Sequence, residues 1–379
     1  MISKPKIALM SYSMDNRPAK GTALYTRKLI ENLLNDDRYD FYLVHYDKVD
    51  DPLYKKAQEI IMPEVHLLFG TRFVRQLLFF WKYRKEKFDI IHWFQPRLYP
   101  FFWFAPARSI VVTAHGAGDI TAPSHFVFSR MVFNFIMCNF NKHIDACIAV
   151  SNFARDEIVE YYKIVKEKVF VTYNGGGEDY EPIPKKEAQE IIKLNYLISN
   201  PYILDISRLV PHKNVSSLVR AYIKTKETYN IEQDLVIVGY KGYSYKEVSA
   251  LVESSAFAPP VHFIEYVKVE DLNALYSGAD LFVFPSLNEG FGFPIIESMA
   301  SGTPVITSNI TSMPEVSQDA ALLVDPNNIN DIVEKIYRVL SDHTLSDSLR
   351  EKGLRRAKDF TWKQTSEATK KIYEKMLQT

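Results

Sequence analysis

The 379-residue sequence predicts an α/β protein of two parallel-sheet domains. Three observations carry that expectation. Short apolar runs alternate with segments of helical spacing, which is the pattern of a parallel sheet covered by helices on both faces. The alternation stops once, at a polar Gly/Pro-rich stretch, and then restarts. The chain is also too long for one ordinary core, while 47% hydrophobic content is that of a globular protein.

In the first half, residues 6–12 (KIALMSY) read as a buried strand, 23–34 (ALYTRKLIENLL) as an amphipathic helix and 41–45 (FYLVH) as a second strand. Further short apolar runs at 89–93 (DIIHW), 110–114 (IVVTA), 145–150 (DACIAV) and 169–173 (VFVTY) continue the sheet, with His92 a core residue. The stretch 125–140 (HFVFSRMVFNFIMCNF) reads as a buried helix. Residues 174–186 (NGGGEDYEPIPKK) hold three of the 14 glycines and two prolines, which makes them the linker. We therefore place a first domain at 1–180 and a second at 181–360, with a ligand cleft between them.

The second half repeats the alternation at 202–207 (YILDIS), 235–239 (LVIVG), 261–265 (VHFIE), 281–285 (LFVFP), 304–307 (PVIT) and 321–324 (ALLV). Within it, residues 286–305 (SLNEGFGFPIIESMASGTPV) form a glycine loop, a helix opened by Pro294 and closed by Gly302, and the start of a strand. Glu289 falls in the loop and Glu297 in the first turn of the helix. A helix N-terminus behind a glycine loop binds phosphate. Carboxylates there would instead accept hydrogen bonds from hydroxyls on either side, as in a nucleotide sugar. The plainer reading is a helix with acidic residues favoured by its dipole, and this stretch alone leaves both open. Immediately after the run 202–207, Arg208 and Lys213 put two cations at the same sheet edge. They are either an ordinary basic loop or a means of neutralising a departing diphosphate without a metal.

Several functions lack their motifs. The first strand is followed by SYSMDNRPAKG, and Gly239-Tyr-Lys-Gly242 lacks the glycine triple, so no dinucleotide fingerprint is present. No P-loop occurs either. With 46 basic and 46 acidic residues the net charge is zero, which gives no case for nucleic-acid binding. Cys138 and Cys147 show no metal-ligand spacing, and the expectation is a protein without metal or cofactor in a reducing, cytoplasmic setting.

The residues Arg208…Lys213, the pair Glu289 and Glu297 in NEGFGFPIIESMASGTPVI, and the following TSMPEVSQDAALLVDP resemble the retaining nucleotide-sugar glycosyltransferases of family 4. A looser likeness runs through GTALYTRKLI, VVTAH, IAVSNFARDEI and VTYNGGGE in the first half. The resemblance implies the GT-B architecture of two facing Rossmann-like domains, with residues 361–379 as a closing helix that returns to the first. It implies that Glu297 binds the ribose hydroxyls and that Glu289 holds hydroxyls of the donor sugar. Arg208 and Lys213 would take the diphosphate with the amides of Gly290, Phe291 and Gly292. His115 would stand near the transferred sugar, Gly21 and Thr22 near the phosphates, and Tyr266 and Val267 beside the base. Two positions depart from the family: Gly116 follows His115 where Asp is frequent, and Thr22 follows Gly21 where a second glycine is usual.

The function implied is retaining, metal-independent transfer of a hexose from a nucleoside-diphosphate sugar, mannosyl favoured, to a glycan or lipid-linked acceptor. A two-carboxylate glycosidase would not need the paired cations. A nucleotide-sugar epimerase of the same architecture and a non-catalytic binding scaffold are the alternatives. Residues 71–88 (TRFVRQLLFFWKYRKEKF) carry six basic residues and one acidic among aromatic and aliphatic ones. They read either as a contact with an anionic membrane face or as a helix with one buried side and a solvated basic side.

Overall fold

The structure is a computed structural model that describes residues 4–15, 21–66, 70–96, 98, 100–118, 127–255 and 260–378, the side chains of 127–130 excepted. It divides into two compact units, residues 1–174 with 362–379 and residues 175–361. Among the described residues no helix is long and apolar enough to cross a membrane.

The first unit is built on a seven-stranded, wholly parallel sheet ordered β3-β2-β1-β4-β5-β6-β7. Its strands are β1 (Lys6–Met10), β2 (Asp40–His45), β3 (Gln58–Ile61), β4 (Phe88–Trp93), β5 (Ala107–Ala114), β6 (Ala146–Ala149) and β7 (Val169–Val171). The central strands are buried on both faces, as continuous apolar runs require. The helix Trp362–Gln378 packs into the same unit and buries Tyr373. There the Tyr373 hydroxyl lies 2.6 Å from His92 Nδ1, and Thr113 Oγ1 lies 2.8 Å from Nε2. Burial drives the His92 pKa down to about 3, so the ring is neutral. His92 is thus a core residue that joins β4 and β5 to the returning helix.

The second unit holds a six-stranded parallel sheet ordered β10-β9-β8-β11-β12-β13. Its strands are β8 (Tyr202–Ile206), β9 (Asp234–Val238), β10 (Val261–Ile264), β11 (Leu281–Phe284), β12 (Val305–Ser308) and β13 (Leu322–Val324). The linker glycines belong to this unit. The Gly177 amide donates to Phe360 O at 2.9 Å, and a side chain on Gly177 would sit 2.0 Å from Ala357 O. The chain therefore crosses between units at Asn174/Gly175, before the 180/181 boundary placed from sequence.

Three local expectations change. β3 has no counterpart in the sequence reading, because it is an edge strand in which only Ile60 is buried. The helix Val127–Phe140 is not buried throughout: Ile136 and Met137 face the core, but Met131 is 65% and Phe135 61% exposed. Apolar residues occur all round this helix, yet it packs chiefly on the helix Asn152–Tyr162 and the turn Asn141–His143. Its first two expected residues, 125 and 126, lie outside the described ones. In the helix Thr71–Tyr83, Phe79 and Phe80 enter the core and Arg72 and Lys82 are exposed. Arg75 is no part of the solvated basic face, since it is buried and donates to the carbonyls of Tyr46, Met62 and Pro63.

Candidate active site

In the second sheet the strand order reverses between β8 and β11, and the crevice at such a point, off the carboxyl ends of the strands, is where doubly wound sheets place ligands. β8 delivers Ser207 and the exposed Arg208, then a one-turn helix Pro211–Lys213. Asn214 follows in the left-handed conformation (φ 57°), and its side-chain Nδ2 donates to Pro285 O at 3.1 Å and Pro326 O at 2.8 Å. β11 delivers Pro285 to Gly292. The two loops are sewn together where the Leu287 amide and the Ser286 hydroxyl both donate to His212 O, at 2.7 and 2.9 Å. This lacing brings Lys213 to Glu289: Lys213 Nζ donates to Oε1 at 2.5 Å, and the ammonium also lies 5.1 Å from the centre of the Phe284 ring. Ser312 Oγ fixes the backbone here by donating to Glu289 O at 2.8 Å.

The glycine loop ends at Gly292, which caps the helix Phe293–Ala300 with φ 93°, a conformation glycine adopts at no steric cost. Phe291 is buried against Phe293 and Phe360, which anchors the loop from beneath. Glu297 is the fifth residue of the helix, so it stands one turn in and not in the first turn as the sequence suggested. Its Oε2 accepts from the Tyr276 hydroxyl at 2.7 Å, and Tyr180 bonds to the same carboxylate. Desolvation outweighs these bonds and raises its pKa to about 7. The two positions expected beside the base differ from each other, Tyr266 being half exposed and Val267 buried after β10.

Sequence reasoning missed Asp205, Tyr276 and Tyr180. Asp205 lies on β8, fully buried, with Oδ2 accepting from Ser207 Oγ at 2.6 Å and Oδ1 without a partner among the described residues. Burial lifts its pKa to about 7, opposed by the bond from Ser207 and the charge of Lys213. The Gly239-Tyr-Lys-Gly242 stretch also finds its place. A side chain at Gly239 would fall 2.0 Å from Ser207 O and one at Gly242 2.2 Å from Leu209 O. These glycines let the loop after β9 pass directly under the Arg208 turn, which explains them without a nucleotide fingerprint.

In the first unit, His115 follows β5, its ring standing edge-on to Tyr25 at 4.7 Å and its Nε2 lying 3.3 Å from Phe94 O. Gly21 (φ 55°) precedes the helix Thr22–Leu33, with nothing among the described residues within 4 Å of where a side chain would begin, and Thr22 begins that helix. Both positions lie at the carboxyl edge of their sheet.

The profile of the family described as Glycosyl transferases group 1 matches residues 189–356, and that of Glycosyltransferase Family 4 matches residues 19–175. The O-antigen chain mannosyltransferase B of Escherichia coli is 31% identical over 267 residues, 70% of either chain. The Serotype-specific mannosyltransferase WbdA of Escherichia coli is 30% identical over 242 residues, which are 63% of this chain and only 30% of that protein. Among solved structures, Anabaena Alr3699/HepE in complex with UDP and glucose superimposes with a TM-score of 0.75 at 18% identity, covering 98% of this chain and 100% of that one. On the relative's identity and coverage, with both sheets, both profiles and the shared architecture agreeing, the chain belongs to the group 1 glycosyl transferases and is a glycosyltransferase of the GT-B fold.

Proposed function

We propose that the protein transfers a mannosyl unit from a nucleoside-diphosphate mannose to a glycan or lipid-linked acceptor, without a metal and with retention of anomeric configuration. The observation that carries this reading is the Lys213–Glu289 pair held at the β8/β11 reversal, beside a glycine-capped helix that carries Glu297. In this reading Arg208, Lys213 and the amides of Gly290, Phe291 and Gly292 take the diphosphate, and their positive charge stabilises the leaving group. Glu289 and Glu297 accept hydrogen bonds from hydroxyls of the sugar and of the ribose. His115, Gly21 and Thr22 serve from the first unit, and Tyr266 and Val267 flank the base. The leaving phosphate assists removal of the acceptor proton on the face it departs from, which accounts for retention without a carboxylate nucleophile. The names of the two mannosyltransferase relatives favour mannose.

Calorimetry with GDP, UDP, ADP and their sugars tests the donor, with Glu297→Gln as the comparison. GDP is the expected ligand, and an anion at Glu297 is the better hydrogen-bond acceptor. With a pKa of about 7, Glu297 is mostly protonated a unit below that value, so wild-type affinity should fall up to about tenfold from about pH 8 to about pH 6. The variant should bind more weakly throughout and show no such slope. Nucleotide binding confined to UDP would move the donor class, and no nucleotide binding by folded protein would end the reading. Undiminished transfer in a chelator, with an α-linked product from an α-linked donor, would complete it.

A further inference from the structure

The first unit carries a continuous aromatic surface that the donor site does not use. Phe73 contacts Phe101, and Phe101 contacts Trp103 and Phe104, with ring centres 5.4 to 6.2 Å apart. Trp103 stacks on Phe140 at 4.0 Å and 10°, and Phe140 meets Phe135 at 6.3 Å. Three separate elements thus share one row of rings: the helix Thr71–Tyr83, the turn Phe102–Phe104 and the helix Val127–Phe140. Its outer side is open, since Phe104 is 66% exposed, and Phe101, Met131 and Phe135 are exposed beside it. Phe101 holds its ring out from a left-handed backbone (φ 71°), which a bulky residue adopts only at a cost. Contiguous apolar side chains exposed in this way mark an interaction site.

Charge selects the occupant. Residues 71–143 hold ten basic and three acidic residues, net +7, in a chain whose total is zero. Of these, Arg72, Lys82, Arg84, Lys85, Lys87, Arg108 and Lys142 are exposed. Exposed rings on a stretch of chain this basic match a bilayer with anionic headgroups, where rings enter the headgroup boundary and each basic residue adds about 1 kcal/mol near the surface. A patch meeting a second copy of this chain would bring the same positive rim against itself.

We propose that the surface formed by Phe101, Phe104, Met131 and Phe135, with its basic rim, docks the enzyme onto an anionic lipid bilayer. Trp103 stands four residues before β5 and Phe140 six before β6, so that end of the row lies towards the amino edge of the sheet, while Phe73, in the first turn of the helix that follows β3, lies towards the carboxyl edge; His115 and Gly21 are no part of the row. The surface is independent of the donor reading and can be altered without touching that site.

The test is flotation with vesicles of phosphatidylcholine alone and of phosphatidylcholine with phosphatidylglycerol. Wild type is compared with Phe104→Ser/Met131→Ser/Phe135→Ser and, separately, with Lys82→Glu/Lys85→Glu/Lys142→Glu. Wild type should partition onto the anionic vesicles only, less so as salt rises. The apolar variant should lose at least about tenfold, given the area its rings would bury, and the charge variant should lose the preference for phosphatidylglycerol. Thermal unfolding and nucleotide binding should not change in either. The proposal is overturned if wild type binds anionic vesicles no better than neutral ones or if a folded apolar variant binds as wild type does. It is also overturned if light scattering shows a dimer that the apolar variant dissolves.

Discussion

Asp205 is a carboxyl group buried among β-strand neighbours and held by a single hydroxyl. Its usual pKa of 3.8 rises to about 7 on folding. The folded protein therefore keeps a proton that the unfolded chain has released. The stabilisation this gives is complete below about pH 4 and is lost as the pH rises through about 7. Between about pH 4 and about pH 8, Asp205→Asn should gain on the order of 3 kcal/mol in unfolding free energy relative to wild type. Denaturant titrations at the two pH values check this, and parallel curves would refute it. Nothing in the sequence marks Asp205, since it is one polar residue in the run YILDIS. Tyr276 is equally silent, because a tyrosine in an apolar helix reads as core. Lys213, Glu289 and the glycine loop were legible because spacing and punctuation alone placed them on one sheet edge. That Lys213 and Glu289 are themselves bonded required the lacing of the two loops through His212 and Asn214.

The elements of the site stand on close backbone contacts. The loop after β9 supports the Arg208 turn only because Gly239 has no side chain, its missing Cβ falling 2.0 Å from Ser207 O. Gly239→Ala must push the turn outwards. It should cost about 1–3 kcal/mol in stability, and nucleotide affinity should weaken with it, whereas a substitution at the exposed Tyr240 should do neither. Calorimetry on the two variants makes the comparison. At this scale the sequence read strands well wherever they are buried on both faces. It failed at β3, whose exposed edge leaves no apolar run, and at the helix Val127–Phe140. There, composition resembles that of a core helix, but Met131 and Phe135 face solvent. Periodicity reports how apolar a segment is and not what lies opposite it.

At the scale of the molecule, two polypeptide crossings, near residues 174 and 361, tie the units together. The helix Trp362–Gln378 is part of the first unit through Tyr373 and His92, residues 281 positions apart. Tyr373→Phe would leave His92 Nδ1 without its partner in a buried site, at a cost of about 1–3 kcal/mol. Hydrogen exchange should show protection falling in β4 and β5 while β8 and β11 keep theirs; an equal loss in both sheets would contradict the assignment. A resemblance of the segment 361–379 to a family's closing helix suggested its place, but no local pattern could, since the contact spans 281 of the 379 positions. The same arrangement sets an order of events during synthesis. Residues 175–361 form an uninterrupted unit that can complete its sheet as soon as it leaves the ribosome. The first unit, although begun earlier, must wait with the groove of Tyr25, His92 and Thr113 open until residues 362–378 arrive, so the half of the enzyme made first is the half finished last.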